Sequence, residues 1–367
     1  PSTLRLKLGR NGHLTLFNGA VDIGQGSTSV ILQIAADALG LPVSAFRLVL
    51  GDTDRTPDAG KTSASRQTFV SGRAAELAAR DLRAKILRLA NAGPDAALEL
   101  AQDRLLIHDG EGTHAISLGT LSEDLIGEGR FDPPTEPLDA KGQGIPYATY
   151  GFAAQVAALT VDHELGTVQL ERIVAAHDVG RAINPMLVEG QIHGGIAQGI
   201  GLALMEEYLP GRTENLHDYL IPTFGDVPQI DIHLIEDREP LGPFGAKGIG
   251  EPALVPTAPA ILGAIRQATA EPWRAVALAS LAGHIQPDVE CRFCCFSPLN
   301  DRTFLKIDAG LPAMLHQDGC RVLALHARHD DLWKYAGDID RLLLRQVVEE
   351  ANAVELVAQR KVAPVSY

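Results

Sequence analysis

The chain has 367 residues, 46% of them hydrophobic and 21% charged, with a formal net charge of -14. This composition suits a folded chain of two or three domains with a large core, and excludes an extended disordered one. The acidic balance argues against nonspecific binding to nucleic acid or to an anionic membrane, and no run of 18 apolar residues predicts a membrane span.

No basic-then-apolar start marks a signal peptide; the chain opens at Pro1 rather than Met and enters at once into a strand-like pattern, so we expect a start further upstream or a chain cut or split from a longer one. Leu4, Leu6 and Leu8 alternate with polar residues as in a half-buried strand. Asn11-Gly12 marks a hairpin, and Leu14 and Leu16 resume the alternation. Val30, Ile31, Ile34, Ala35 and Leu39 then fall at helical spacing up to Gly40. Gly24, Gln25 and Gly26 therefore sit at a strand-to-helix turn, with Ser27 or Thr28 as the expected cap. A free helix N-terminus there would favour an acceptor-rich ligand; an ordinary glycine turn is the alternative.

Phe46 to Leu50 reads as a further strand. Ser63, Ala64, Ser65, Arg66, Gln67 and Thr68 then lead into a long amphipathic helix beyond Gly72. Hydroxyls entering a helix can cradle a phosphate, or can be an exposed capping segment. The spacing is not that of a nucleotide hydrolase phosphate loop. Short elements are predicted at residues 96–100, 105–108 and 116–125. Residues 151–161 and 167–175 read as a long hairpin, ending in the turn from His177 to Pro185. A helix over Glu189–Leu202 carries five glycines, a composition that implies close packing against a backbone or a flat ligand. His193 reads as a packed or partner-facing histidine.

Residues 230–234 alternate as a strand, and Gly242–Leu254 is a loop rich in glycine and proline with one carboxylate, Glu251. Such a carboxylate suits general-base work if it is rigid and desolvated; a structural turn with a solvated Glu is the alternative. Thr257 is the expected cap of a helix over residues 260–268. Cys291, Cys294, Cys295, His316, Cys320, His326 and His329 fit no four-ligand metal spacing, and the cysteines make no secreted disulfide framework, so a cytoplasmic setting is expected. Residues 339–357 read as an amphipathic helix.

Four stretches stand in one order: Asp22 to Gly26, Gly60 to Gly72, His177 to Gly201, and Gly245 to Pro252. Over residues 4–270 this resembles the C-terminal half of the molybdopterin-binding large subunit of the xanthine dehydrogenase and aldehyde oxidase family. The resemblance implies a molybdenum hydroxylase that hydroxylates an electron-poor carbon of an N-heterocycle or an aldehyde with water-derived oxygen. It implies molybdopterin, as the cytosine dinucleotide, with molybdenum held by the pterin and no protein metal ligand. Glu251 resembles the family base that takes a proton from the hydroxide on the metal. Gln198, with Gly199, resembles the glutamine that hydrogen-bonds an oxo ligand. Gly24, Gln25, Gly26, the run Ser63 to Thr68, Lys247, Gly248 and Gly250 resemble cofactor contacts.

The family subunit is about twice as long as this chain. A separate N-terminal half or partner chain is therefore implied, with 2Fe-2S clusters on an iron–sulfur subunit and FAD on another. The alternative is a non-catalytic scaffold or an incomplete fragment. The expected fold is α+β, with mixed sheets, hairpins and packed helices. The expected domains are residues 1–145 and 146–284, each a molybdopterin-binding subdomain and the second carrying Glu251, followed by a tail over residues 285–367.

Overall fold

The computed structural model describes residues 1–269, apart from Glu111, His163 and Glu164. The sequence expectations beyond residue 269, including the cysteine cluster, the amphipathic helix and the tail, lie outside the described residues. The fold is α+β and divides into two compact units that are discontinuous along the chain. Unit one is Pro1–Thr149 with Gly180–Leu187 and Arg238–Gly248; unit two is Tyr150–Val179, Val188–Asp237 and the chain from Ile249.

In unit one, β1 (Ser2–Leu8) and β2 (Leu14–Asn18) form the expected antiparallel hairpin. β3 (Phe46–Leu50) joins β2 in parallel after the helix α1 (Ser27–Leu39). The leucines that alternate in β1 and β2 are fully buried on the face covered by α1 and by α2 (Gly72–Ala90). A three-stranded antiparallel sheet follows: β4 (Ala97–Ala101), β5 (Arg104–Asp109) and β6 (Gly112–Ser117).

The stretch over residues 116–125, expected as one element, is split in the structure. It contains the end of β6, one 3-10 turn (Leu118–Thr120) and the start of β7 (Leu125–Phe131). Leu118 is fully buried there and forces the turn inward. β7 closes the first sheet in the order β3-β2-β1-β7. Gly129 in β7 has no room for a Cβ beneath the α2 backbone at Ala74 and Ala78, which lets the helix lie directly on the strand.

In unit two, the long hairpin is β8 (Ala153–Asp162) and β9 (Thr167–Asp178), and β10 (Gln229–Ile235) pairs with β9 in parallel. Ile192, Ile196 and Ile200 of α3 (Pro185–Leu204) pack with Ile261 and Ile265 of α4 (Thr257–Thr269) on the Leu170, Ile173 and Ala175 face of β9. The spacing 192, 196, 200 is the i, i+4 stripe of a core-facing helix. α3 begins four residues earlier than expected. Asn184 Oδ1 accepts the Leu187 amide at 3.2 Å and Pro185 takes the first helical position, a cap-and-proline start rather than a turn ending in proline.

Candidate functional site

Unit one brings together pieces of all four sequence stretches. The first is the turn before α1. Ser27 and Thr28 were expected to cap this helix, and neither side chain does so. The cap is Asp22: Oδ2 accepts the Thr28 amide at 3.0 Å, and Oδ1 accepts the Gly24 amide at 2.9 Å and the Gly26 amide at 3.3 Å. Burial pushes the Asp22 carboxyl up, but the amides of Thr28, Gly24 and Gly26 together outweigh it and hold the group below the usual carboxylate range. The helix terminus is thus satisfied by the chain's own anion. The Gln25 amide is engaged locally as well: Oε1 accepts the Ile23 amide at 2.7 Å, and Nε2 donates to Ser27 Oγ at 2.9 Å.

The second piece is the loop from Gly60 to α2. Ala64 and Ser65 are consecutive left-handed residues, at φ 56° and 50°, in a conformation that non-glycine residues rarely adopt. Arg66 does not extend from this loop. Its guanidinium donates to the carbonyls of Ala59 at 2.8 Å, Lys61 at 3.0 Å and Pro1 at 2.8 Å, and so ties the loop down. Ser63 and Ala64 are exposed, whereas Ser65 and Thr68 are half-buried. Gln67, at the start of a π-helical turn (Gln67–Ser71), is buried; its Nε2 donates to Thr62 Oγ1 at 3.0 Å. Its Oε1 is buried without a hydrogen-bond partner among the described residues. A buried acceptor in that state is an unmet demand for a donor.

The third and fourth pieces meet this loop. Gly248 lies against the Ser65 carbonyl, where a Cβ would overlap the oxygen. Gly180 also has no room for a Cβ, which would lie 2.3 Å from the Gly245 carbonyl oxygen, and the Arg181 amide donates to that carbonyl at 2.8 Å. Phe244, left-handed at φ 52°, lies beneath two guanidinium groups, Arg181 at 5.6 Å and Arg80 at 5.9 Å from its ring centroid. Arg80 also binds the buried Glu76 carboxylate at 2.8 Å, so the loop that leads to Lys247 and Gly248 is anchored to α2. Lys247 is buried, at 7% exposure.

Unit two holds the remaining residues. Gln198 lies on the exposed side of α3, in one stripe with Gly194, which has open space about it among the described residues. On the adjoining side, a Cβ at Gly195 would come within 2.6 Å of Ala253 Cβ, and one at Gly199 would overlap the Thr257 side chain. The close packing expected from the glycine content is thus packing against a backbone and a short side chain, at the turn that follows Glu251. Gly250 and Glu251 are exposed. The expectation of a desolvated Glu251 is therefore not met within this chain: the turn places Ala253 inward and directs residue 251 outward. Thr257 does not cap α4 by accepting amides. Its hydroxyl donates to Gln155 Oε1 at 2.8 Å and also lies 3.1 Å from the Ala253 carbonyl. His193 is exposed, with Nδ1 at 2.8 Å from the Glu189 carbonyl.

Sequence reasoning missed Asp22 as the cap, although a carboxylate ahead of a Gly-x-Gly turn is a readable signal. It also missed Gln155, whose signal was a single amide within the apolar run Ala153–Leu159.

The description "Molybdopterin cofactor-binding domain" matches residues 1–228. The chain is 35% identical over 277 residues to the xanthine dehydrogenase molybdenum-binding subunit of Escherichia coli O157:H7, covering 72% of this chain and 36% of that protein. It is 32% identical over 280 residues to the 6-hydroxypseudooxynicotine dehydrogenase complex subunit gamma of Paenarthrobacter nicotinovorans, covering 72% and 35%. Among solved structures, the aldehyde oxidoreductase of Desulfovibrio gigas superposes with a TM-score of 0.62 at 28% identity, covering 73% of this chain and 28% of that one. The chain thus spans about a third of the length of the curated relatives it matches. The left-handed loop at Ala64 and Ser65, with the Ser63 side chain exposed beside it, suits a bound group that accepts hydrogen bonds. This chain belongs to the family of molybdopterin cofactor-binding domains, as found in the molybdenum-binding subunits of xanthine dehydrogenase-type enzymes.

Proposed function

We propose that this chain is the molybdopterin-binding part of a molybdenum hydroxylase that acts on an electron-poor carbon of an N-heterocycle or an aldehyde, with Glu251 as the general base. The observation that carries this reading is the fixed turn at Glu251: the Leu254 amide donates to the Glu251 carbonyl at 3.0 Å, and the Ala253 carbonyl accepts from the buried Gln155 Nε2 at 2.9 Å. A base on such a turn projects from a backbone held in one place, a first condition for the positioning that general-base catalysis requires. The names of the relatives, a xanthine dehydrogenase subunit and an aldehyde oxidoreductase, support the substrate classes. The family match does not favour the non-catalytic alternative.

Molybdopterin, when bound, supplies through its molybdenum the two-electron oxidation and the oxygen that is transferred. The chain's own contributions are binding and proton transfer. Gln25, the run Ser63 to Thr68, Lys247, Gly248 and Gly250 would hold the cofactor. Gly24 and Gly26 would shape the turn beside it. Gln198, next to Gly199, would donate from Nε2 to an acceptor on the cofactor. Glu251 takes a proton on its carboxylate, and its desolvation would come from what covers it in the assembled enzyme. We further propose the cytosine dinucleotide form, an N-terminal half or separate chain that completes the site, iron–sulfur and FAD partner subunits, and a cytoplasmic location. Among the described residues no helix is long and apolar enough to cross a membrane.

The test is Glu251→Gln in the assembled complex. Molybdenum content should stay unchanged while turnover falls by about 10²–10⁴-fold, the usual loss on removing a positioned base. Near-normal turnover would sink the role given to Glu251.

A further inference from the structure

The turn that carries Glu251 is gripped from within by one buried amide. Gln155 on β8 is 0% exposed, as are His177 on β9 and Thr257 at the start of α4. Gln155 Nε2 donates to the Ala253 carbonyl at 2.9 Å and lies 3.3 Å from His177 Nε2; Gln155 Oε1 accepts the Thr257 hydroxyl at 2.8 Å.

Chemistry fixes the orientation of this amide. The Ala253 carbonyl only accepts, so it must face the NH₂ group, and the hydroxyl of Thr257 must face the oxygen. The second Nε2 hydrogen then points at His177 Nε2, which accepts as part of a neutral ring. Both amide hydrogens and the oxygen are used, which is the condition for burying such a group without penalty.

The apolar neighbours of Gln155 on the same face of the sheet, Ala157 and Ala175, are buried, and a leucine or methionine would fill the same space in an ordinary core. The amide instead reaches two points on one short segment. Ala253 is two residues past Glu251, and Thr257 is four residues past Ala253. Ala253 and Thr257 are also the residues against which Gly195 and Gly199 of α3 are pressed.

We propose that Gln155 is a positioning residue for Glu251: by holding the Ala253 carbonyl and the Thr257 hydroxyl together, it fixes the turn from which the carboxylate projects. This rests on the role proposed above for Glu251.

The test compares Gln155→Met, Thr257→Val and Thr257→Ser in the assembled complex. The first keeps the volume and removes both grips. The second removes only the hydroxyl, and the third restores it. Two readouts are taken: amide hydrogen exchange of the peptide covering residues 251–257, and kcat and KM for whichever of xanthine, nicotinate and benzaldehyde is turned over. In Gln155→Met and Thr257→Val, exchange of that peptide should rise about tenfold while the peptides of β8 and β9 keep their protection. kcat should fall about 10–100-fold with KM within about twofold, the signature of a displaced catalytic group. Thr257→Ser should match the parent in both. Molybdenum content should be the same in all.

Unchanged exchange at residues 251–257 in Gln155→Met would overturn the proposal. So would a uniform rise that includes β8 and β9, because Gln155 would then be a core residue only. The exchange result stands without any turnover. If Glu251→Gln turns over normally, the base assignment fails separately, and the exchange data still decide whether Gln155 holds the turn.

Discussion

Gly248 rests directly on the carbonyl of Ser65, joining the loop before α2 to the glycine-rich loop that leads to Glu251. The contact is backbone on backbone, so no rotamer change can relieve a side chain placed there. Ala64 and Ser65 are already held left-handed, which leaves that loop little freedom to retreat. Gly248→Ala should therefore destabilise the chain by about 1–3 kcal/mol, the usual range for overpacking. It should also lower the molybdenum recovered with the purified complex. Thermal melting and elemental analysis of the same preparation check both. Full molybdenum occupancy at an unchanged melting temperature would separate this seam from the cofactor.

Gly199 stands in the same relation to Thr257. A Cβ would overlap that side chain, which is itself held by Gln155 and Ala253 and has no other place to go. Gly199→Ala would gain helix propensity of about 1 kcal/mol at an open position. Here the clash should outweigh that gain and leave a net loss of about 1–2 kcal/mol. Among the described residues nothing comes within 4 Å of a Cβ at Gly194, so Gly194→Ala should be neutral or stabilising by up to about 1 kcal/mol. Opposite signs for the two variants in urea unfolding would verify the packing; equal signs would refute it.

Local pattern made most of this architecture readable. The leucine alternation of β1 and β2, the 3.6-residue spacing of α1 and α2 and the hairpin of β8 and β9 all follow from which side of each element meets the core. The glycines of α3 told correctly that something lies close, though not that it is Ala253 and Thr257. What could not be read are relations across long separations. The parallel pairing of β10 with β9, the split of the chain into interleaved units, and the bond from Gln155 to a carbonyl 98 residues away depend on how the elements pack, not on any single window. Caps failed for a different reason. Ser27 and Thr28 have the right composition for an N-cap, but Asp22 satisfies three amides at once and displaces them.

The Asp22 cap gives a prediction with a pH signature. Removing a capping carboxylate costs about 0.5–2 kcal/mol, so Asp22→Ala should lose stability in that range near neutral pH. The folded-state carboxyl lies below its ordinary value of 3.8, so its contribution is present above that value and is lost as pH falls through the lowered one. The gap between parent and Asp22→Ala should thus be full at pH 6 and should close below pH 3.8. Urea midpoints of the two chains at a series of pH values measure it. A gap that stays constant down to the acid limit would mean that the carboxylate's charge plays no part.

His177 should produce the opposite kind of acid sensitivity. Burial pushes its ring down from 6.5 to about 4, so the folded chain keeps it neutral where the unfolded chain would protonate it. Between those values the unfolded state binds the extra proton. Stability is therefore fully present above pH 6.5, falls as pH drops from 6.5 to about 4, and levels off once the folded ring protonates as well. The span corresponds to about 3 kcal/mol at 1.36 kcal/mol per pH unit. The buried surroundings explain the direction: Gln155 offers His177 Nε2 a donor, which suits the neutral ring, and an imidazolium there would face that N–H with a hydrogen of its own. Replacing the ring by the neutral amide in His177→Gln removes the titration. The variant should be less stable than the parent at pH 8, because it disturbs the contact with Gln155. The difference should shrink steadily from pH 6.5 toward pH 4 as the parent loses stability that the variant never had. Parallel pH dependences for the two chains would show that His177 does not stay neutral on folding, and would remove the reason to read its Nε2 as an acceptor from Gln155.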